Sequence, residues 1–318
     1  MSIWVDANGW PVPPIVLLGC LVAEILYFRG WFVFVKEERD KETAGTRAAL
    51  PLSSSESGTI AWDSWLLRGV YFFTAILIAL VGDSAPVDFF SGRLFWVHMV
   101  QHLFLLVVIA PLLVASAPLL PMWYGLPGWA RRLLGTLARL QAGKALYQVG
   151  HWLRQPVVSC VLLMAGMWAW HWPALYDLAL TNEIIHDWCE HLTFIAVSIL
   201  FWTQVIPSPP LSPRVGYIGR LGCLGFAIMQ NVVLAVLLGF SQAALYAPYA
   251  HLVMAPGGFT ALQDQQLGAG IMWTFGDVPF LLAIGALIQQ WLAGQSDSDQ
   301  TTPQSETASA TPKEQVIP

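Results

Sequence analysis

The sequence predicts an all-α polytopic integral membrane protein, with about seven transmembrane helices in one bundle. Over 318 residues it is 56% hydrophobic and only 11% charged, with 16 Trp, more apolar surface than a soluble domain hides from water. That apolar content falls in runs of roughly 20 residues nearly free of charge, the length that crosses a bilayer. The basic residues gather in alternate connecting segments, which suits an odd number of spans.

The apolar runs cover residues 14–35, 64–82, 94–115, 156–172, 185–206, 221–240 and 267–292. The first follows a stretch without Lys, Arg or a small-residue cleavage site, so it is expected to be retained as a span. The fourth, the shortest, is punctuated by Pro156 and Pro173. These runs form an expected membrane domain over residues 1–292, with cytoplasmic loops at 36–63 and 119–155 and a flexible cytoplasmic tail at 293–318. Polar, Ser/Thr-rich composition makes residues 37–57 a flexible stretch as well.

Orientation follows from charge. Lys36, Arg39, Lys41 and Arg47 follow the first run; Arg131, Arg132, Arg139, Lys144 and Arg154 separate the third and fourth; Arg214 and Arg220 separate the fifth and sixth. Arg93 stands alone on the other side. The positive-inside rule then puts the N-terminus outside and the C-terminus in the cytoplasm of a bacterial inner (plasma) membrane protein. Within 129–154, Leu133, Leu137 and Leu140 repeat at helical spacing beside Arg132, Arg139 and Lys144, which predicts an amphipathic helix on the cytoplasmic leaflet.

No basic stripe interleaved with aromatics points to nucleic acid, and no glycine loop to phosphate. There is no nucleophile elbow, HExxH or CxxC, so the chain is not expected to be an enzyme. Cys20, Cys160, Cys189 and Cys223 are scattered and read as small buried hydrophobes, Cys189 drawing notice only for its neighbours.

The histidines carry the chemistry. Six of the seven fall on the outer side: His98, His102, His171, His186, His191 and His251; His151 lies inside. His98 and His102, four apart, share a helix face about 6 Å apart along the axis, a spacing that suits two ligands to one metal. In the fifth run, His186 pairs at i, i+4 with Glu190 and Asp187 with His191, so each ring has a carboxylate to orient it. His171 meets them from a neighbouring helix, and sulfur from Met99, Met167, Met254 and Cys189 would favour Cu(I). A single His at a helix end is most often interfacial, Trp168, Trp170 and Trp172 suit an aromatic belt, and Met usually packs; the clustering of ionisable groups within spans is what favours a site. Glu24, Gln230, Asn231 and Asp277 are further intramembrane polar residues; Asp277, between Gly276 and Pro279, reads either as a structural hydrogen-bond partner or as a protonatable pathway residue.

At these residues the chain resembles a known family. His98-Met-Val-Gln-His102-Leu with the Ala-Pro-Leu words up to Leu119, Trp170-His-Trp-Pro-Ala-Leu-Tyr-Asp177, His186 with Glu190-His-Leu-Thr-Phe194, Phe201-Trp202, and Asp264-Gln-Gln-Leu267 with Gly270-Ile-Met-Trp273 are similar in kind and order to the seven-helix cytochrome c oxidase assembly factors of the caa3 type (CtaG). The resemblance covers about residues 94–292. It implies a membrane assembly factor for a haem–copper oxidase, supporting copper delivery or insertion, with oxidase subunits or other assembly factors and the lipid bilayer as partners. Carried over residue by residue, the matching polar positions are His98, His102, His171, His186, Glu190, His191 and Asp264; their role as ligands is read from spacing. The single-span, cysteine-based copper chaperones that share the name are a different family. The rival readings are a b-type haem electron carrier, with haem between the two His-bearing helices, a copper or proton transporter using Glu24 and Asp277, and a scaffold whose histidines only make interfacial hydrogen bonds.

Overall fold

The computed structural model of the chain describes residues 12–43, 60–182, 184–250 and 258–300. Among these, every regular element is helical, apart from one isolated bridge between Ser208 and Leu211. In chain order the helices are α1 (Pro14–Thr43), α2 (Ile60–Gly82), α3 (Ala85–Ser91), α4 (Phe95–Leu103), a π segment (Phe104–Ile109), α5 (Ala110–Ala115), α6 (Leu119–Gly125), α7 (Gly128–Arg139), α8 (Gln141–Leu153), α9 (Pro156–Trp170), α10 (Pro173–Thr181), a second π segment (Ile185–Glu190), α11 (His191–Val205), α12 (Tyr217–Gly239), α13 (Ala247–Ala250), α14 (Ala261–Thr274) and α15 (Val278–Gln300).

The chain is therefore an all-α polytopic membrane protein. Five described stretches are long and apolar enough to cross a bilayer, at Pro14–Phe34, Trp65–Gly82, Phe95–Ala115, Tyr217–Gly239 and Ala261–Ala293. A sixth results if α9 and α10, bent by 71° at Pro173, count as one broken span. The expected count of seven is not reached on length and apolarity. The stretch formed by the second π segment and α11 is helical where a span is expected, but its first turns carry His186, Asp187, Glu190 and His191. Large apolar side chains such as Ile15, Leu18 and Ile25 of α1, and Leu281 and Leu282 of α15, point outward, as lipid-facing positions do.

Several boundaries differ from expectation. α1 continues to Thr43 and α15 to Gln300, so residues 37–43 and 293–300 are helical rather than flexible. Lys, Glu and Arg propagate α1 beyond its apolar stretch, and no proline interrupts either extension. Residues 44–59 and 301–318, which hold the rest of the expected flexible segments, lie outside the described residues, as do His251 and Met254. The amphipathic segment is two helices, because Leu140 is extended (φ −69°, ψ 161°). A side chain at Gly143 would stand 2.3 Å from the Leu137 carbonyl oxygen, so its absence lets α8 fold back against the end of α7.

Two close approaches position the bundle. α1 and α6 meet backbone to backbone, since a Cβ on Gly30 would stand 1.6 Å from the Pro121 oxygen and one on Gly125 1.9 Å from the Leu26 oxygen. Small residues allow this kind of packing in membranes. On the other side, Gly268 of α14 leaves room for the Phe95 ring of α4, which a Cβ would approach to 2.5 Å. The basic loops gather at one end of the bundle. There Arg154 donates to the Ser212 carbonyl at 3.0 Å and Arg214 to the His151 carbonyl at 2.7 Å.

Candidate metal centre

The site lies at the end of the bundle opposite those basic loops. It is assembled from the start of α4, the end of α9 and the second π segment, with the α2–α3 turn at its edge. The start of α4 is held by a residue from α14: the Asp264 carboxylate accepts the Phe95 N–H at 2.7 Å and the Trp96 N–H at 3.2 Å. Free N–H groups at a helix start need such an acceptor, and Asp264 supplies it from 169 residues away in sequence. Asp264 thus braces the helix that bears His98 and His102.

Both site helices contain a π segment, a feature often found at functional sites. The first has a readable cause. Its bonds run five residues back, as in Ala110 N–H to the Leu105 carbonyl, and the next in that register would come from Pro111, which has no N–H. The Leu106 carbonyl freed in this way accepts instead from the Ser198 hydroxyl and, at 3.0 Å, from the Trp202 indole. That lost bond fastens α4–α5 to α11. In the second π segment the His191 N–H bonds to the His186 carbonyl. The wider turn brings residues five apart toward one side, and the rings of His186 and His191 lie 4.3 Å apart between centroids.

The result is a compact imidazole cluster. The His98 and His102 ring centroids are 4.2 Å apart, His98 and His186 5.1 Å, and His102 and His191 5.4 Å. Glu190 projects among them, its Oε1 3.6 Å from His102 Nε2 and 3.9 Å from His98 Nε2. One ligand atom from each of His98, His102, His186 and Glu190 falls within 4.8 Å of the others, and the same holds for His186, Asp187 and His191. His98, His102 and Glu190 are at most 3% exposed. Both nitrogens of His98 and His102, both oxygens of Glu190, and the Nε2 atoms of His171, His186 and His191 are buried without a hydrogen-bond partner. Such atoms are costly to bury unless something pairs with them, and imidazole and carboxylate together form a ligand set for a transition metal.

The remaining expected site residues sort by contact. His171 caps α9 beside the cluster, its Nδ1 2.7 Å from the Met167 carbonyl, but it belongs to neither donor group. Glu190, expected only to orient a ring, sits within a donor group. Asp187 engages His186 at 2.8 Å, whereas the i, i+4 reading pairs it with His191; the π turn changes that register. The carboxylate nearest His191 belongs to Asp83 at 3.8 Å, a residue the sequence reading does not single out. Burial, reinforced by the neighbouring charges of Asp88 and Asp187 and opposed by His186, pushes the Asp83 carboxyl up to about 7. Cys189 stands outside both groups and is exposed, and Met99 is buried against Gly268. Met167 accepts a hydrogen bond from Gln230 at 3.1 Å.

Behind the cluster, Tyr176 lies 5.0 Å from the His98 ring and its hydroxyl meets that of Tyr249 at 3.2 Å. Tyr249 donates to the Ser91 carbonyl at 2.6 Å and Tyr246 to the His171 carbonyl at 3.1 Å. These aromatics wall the site from one side; Tyr176 belongs to the Trp170–Asp177 word, whereas Tyr246 and Tyr249 have no spacing pattern by which to be found. Farther off, Asp277 accepts from Asn231 at 2.9 Å, and Asn231 also donates to the Met272 carbonyl at 2.9 Å. That is the structural partnership among the two readings of Asp277. Glu24 is half-buried on α1.

Fold and site together define a multi-helix membrane protein with a buried imidazole–carboxylate cluster at one end of its bundle. The family model described as cytochrome c oxidase caa3 assembly factor (Caa3_CtaG) matches residues 47–294, and the chain belongs to that family. Its curated relatives include uncharacterized proteins of Mycobacterium bovis and Mycobacterium tuberculosis, each 27% identical over 238 residues, which is 72% of this chain and 35% of theirs. An uncharacterized protein of Mycobacterium leprae is 25% identical over 244 residues, 73% of this chain and 35% of its own. The chain thus spans about a third of the length of these relatives. No solved structure matches it.

Proposed function

We propose that this protein takes up copper and passes it on during assembly of a haem–copper cytochrome c oxidase, a non-catalytic role in which the ion is cargo. The observation that carries the proposal is the convergence of His98, His102, His186 and Glu190 on one point, with buried ligand atoms that lack hydrogen-bond partners. Three imidazoles and a carboxylate, with no sulfur among them, suit Cu(II) by donor class better than the sulfur-rich surroundings that select Cu(I). The family supports oxidase assembly as the setting and oxidase subunits or other assembly factors as partners. Loop charge supports an extracytoplasmic position, since the cluster lies opposite the basic loops. A haem between the helices is less well supported, because ring centroids 5.1 Å apart and tilted by 58° suit a single ion better than a macrocycle.

The test is metal analysis with an optical spectrum on detergent-purified protein. We expect bound copper and no Soret band, with copper content and oxidase maturation both falling in the His98→Ala/His102→Ala double variant. Unchanged copper content in that variant would remove the ligand assignment, and a Soret band would replace copper by haem.

A further inference from the structure

The second donor group is a different kind of site from the first. His186, Asp187 and His191 bring their ligand atoms within 4.8 Å of one another, with Asp83 3.8 Å from His191. The Nε2 atoms of His186 and His191 are buried and have no hydrogen-bond partner. The side chains here are more accessible: Asp187 is 31% and Asp83 18% exposed, against 1% for Glu190. His186 belongs to both groups. The set of three His and Glu190 is sealed, while the set that shares His186 opens at its acidic edge.

We propose that His186, Asp187 and His191, with Asp83 beside them, form an outer loading station for a divalent copper ion, which then moves to the inner site by ligand exchange around His186. This rests on the copper reading of the inner cluster. The partly exposed carboxylates attract the hydrated cation, and His186 and His191 replace part of its water. Transfer then breaks the bonds to Asp187 and His191 while His98, His102 and Glu190 form theirs. His186 stays bound throughout, so the ion is never without a protein ligand. The ion remains Cu(II), and no electron or covalently bound group moves. The outer set offers fewer donors and more water, so it holds copper more weakly and exchanges it faster.

The experiment uses the full-length protein in detergent with copper(II) sulfate as probe, following loading by stopped-flow Trp quenching and ligation by electron paramagnetic resonance. Asp187→Asn/His191→Ala should keep copper at the inner site at equilibrium but load it at least about tenfold more slowly, the scale on which lost metal-site partners act. His98→Ala/His102→Ala should retain a weaker copper whose hyperfine pattern reports two nitrogens. Loading of the first variant at the wild-type rate would overturn the station, as would loss of all copper from the second while wild type binds it. A wild type that binds no copper would instead overturn the copper reading itself. If the first double variant does not fold, Asp187→Asn alone, on a partly exposed side chain, must still slow loading for the station to stand.

Discussion

Replacing Glu190 by Gln should stabilise the metal-free protein and shrink the further gain that copper brings. Glu190 is 1% exposed and neither carboxylate oxygen has a hydrogen-bond donor. An uncompensated buried carboxylate costs several kcal/mol, whereas an unpaired amide costs about 1–3 kcal/mol. At pH 8 the metal-free variant should therefore gain about 1–3 kcal/mol, a rise in Tm of about 2–4 °C per kcal/mol. The gain that copper adds moves the other way. Wild type at copper about 100 times its Kd gains about 2.7 kcal/mol, and a loss of about 10- to 100-fold in affinity leaves the variant about 0.4–1.4 kcal/mol at the same concentration. The assay is thermal unfolding by intrinsic Trp fluorescence in detergent, with and without copper. A Glu190→Gln variant that melts lower without metal yet keeps the full copper-induced rise would refute the assignment of Glu190 as a donor.

Asp264→Ala leaves the buried Phe95 N–H and the part-buried Trp96 N–H at the start of α4 without an acceptor and should cost about 2–4 kcal/mol, read as a lower Tm together with weaker copper binding; unchanged values of both would show that the helix start needs no brace. Asn231→Leu strips the donor from Asp277 and should cost about 1–3 kcal/mol while leaving copper stoichiometry unchanged, and a loss of copper would put Asn231 in the site. Asp83 has a carboxyl raised from 3.8 to about 7, so in the metal-free protein the folded state holds the proton that the unfolded state has released. The sign follows from linkage: its contribution makes stability rise as pH falls from above 7 toward 4, and Asp83→Asn should raise Tm at pH 8 and flatten that slope. The slope should be compared in the two proteins between pH 5 and 8, and an equal slope would sink the argument. In a variant with its four native cysteines replaced by Ser, Arg132→Cys should react with a membrane-impermeant maleimide only after cells are opened; labelling of intact cells would invert the orientation.

Much of the architecture is legible in the sequence because it follows from the bilayer, which imposes long apolar runs and a charge asymmetry that a sequence displays directly. The His98–His102 pair is legible for a similar reason, since i, i+4 spacing is a property of any α-helix. The second site helix is harder. A π turn leaves no mark in apolar periodicity, so regular helical spacing matches Asp187 to His191 and places Glu190 behind the ligands instead of among them. Met99 illustrates a different error: one residue on from His98 it points about 100° away around the helix, against Gly268, and adjacency in sequence suggests a proximity that helix geometry denies. Asp83 and Tyr249 come from a turn and a short helix, and their only signal is their place in the fold. Asp264 is visible as part of a family word, but its contact across 169 residues needs coordinates.

The same polar residues that make a site on α11 also weaken it as a membrane span. His186, Asp187, Glu190 and His191 occupy the first turns of the stretch that ends at Val205, where apolar residues would favour insertion. This cost falls if the polar turns lie under other protein rather than under lipid, which is where α3, α10 and the tyrosines put them: Glu190 and His191 are buried, and Tyr176 stands against His98. The bend between α9 and α10 serves the same end, because a straight α9 would carry Tyr176 away from the cluster. A polar centre of this kind binds cargo reversibly only if its empty state is tolerated, and short helices that cover the donors without filling their lone pairs provide that. On the proposed copper role, this arrangement shields the donors from lipid, leaves them open at their acidic edge and leaves them incompletely satisfied, the combination that release of a bound ion requires.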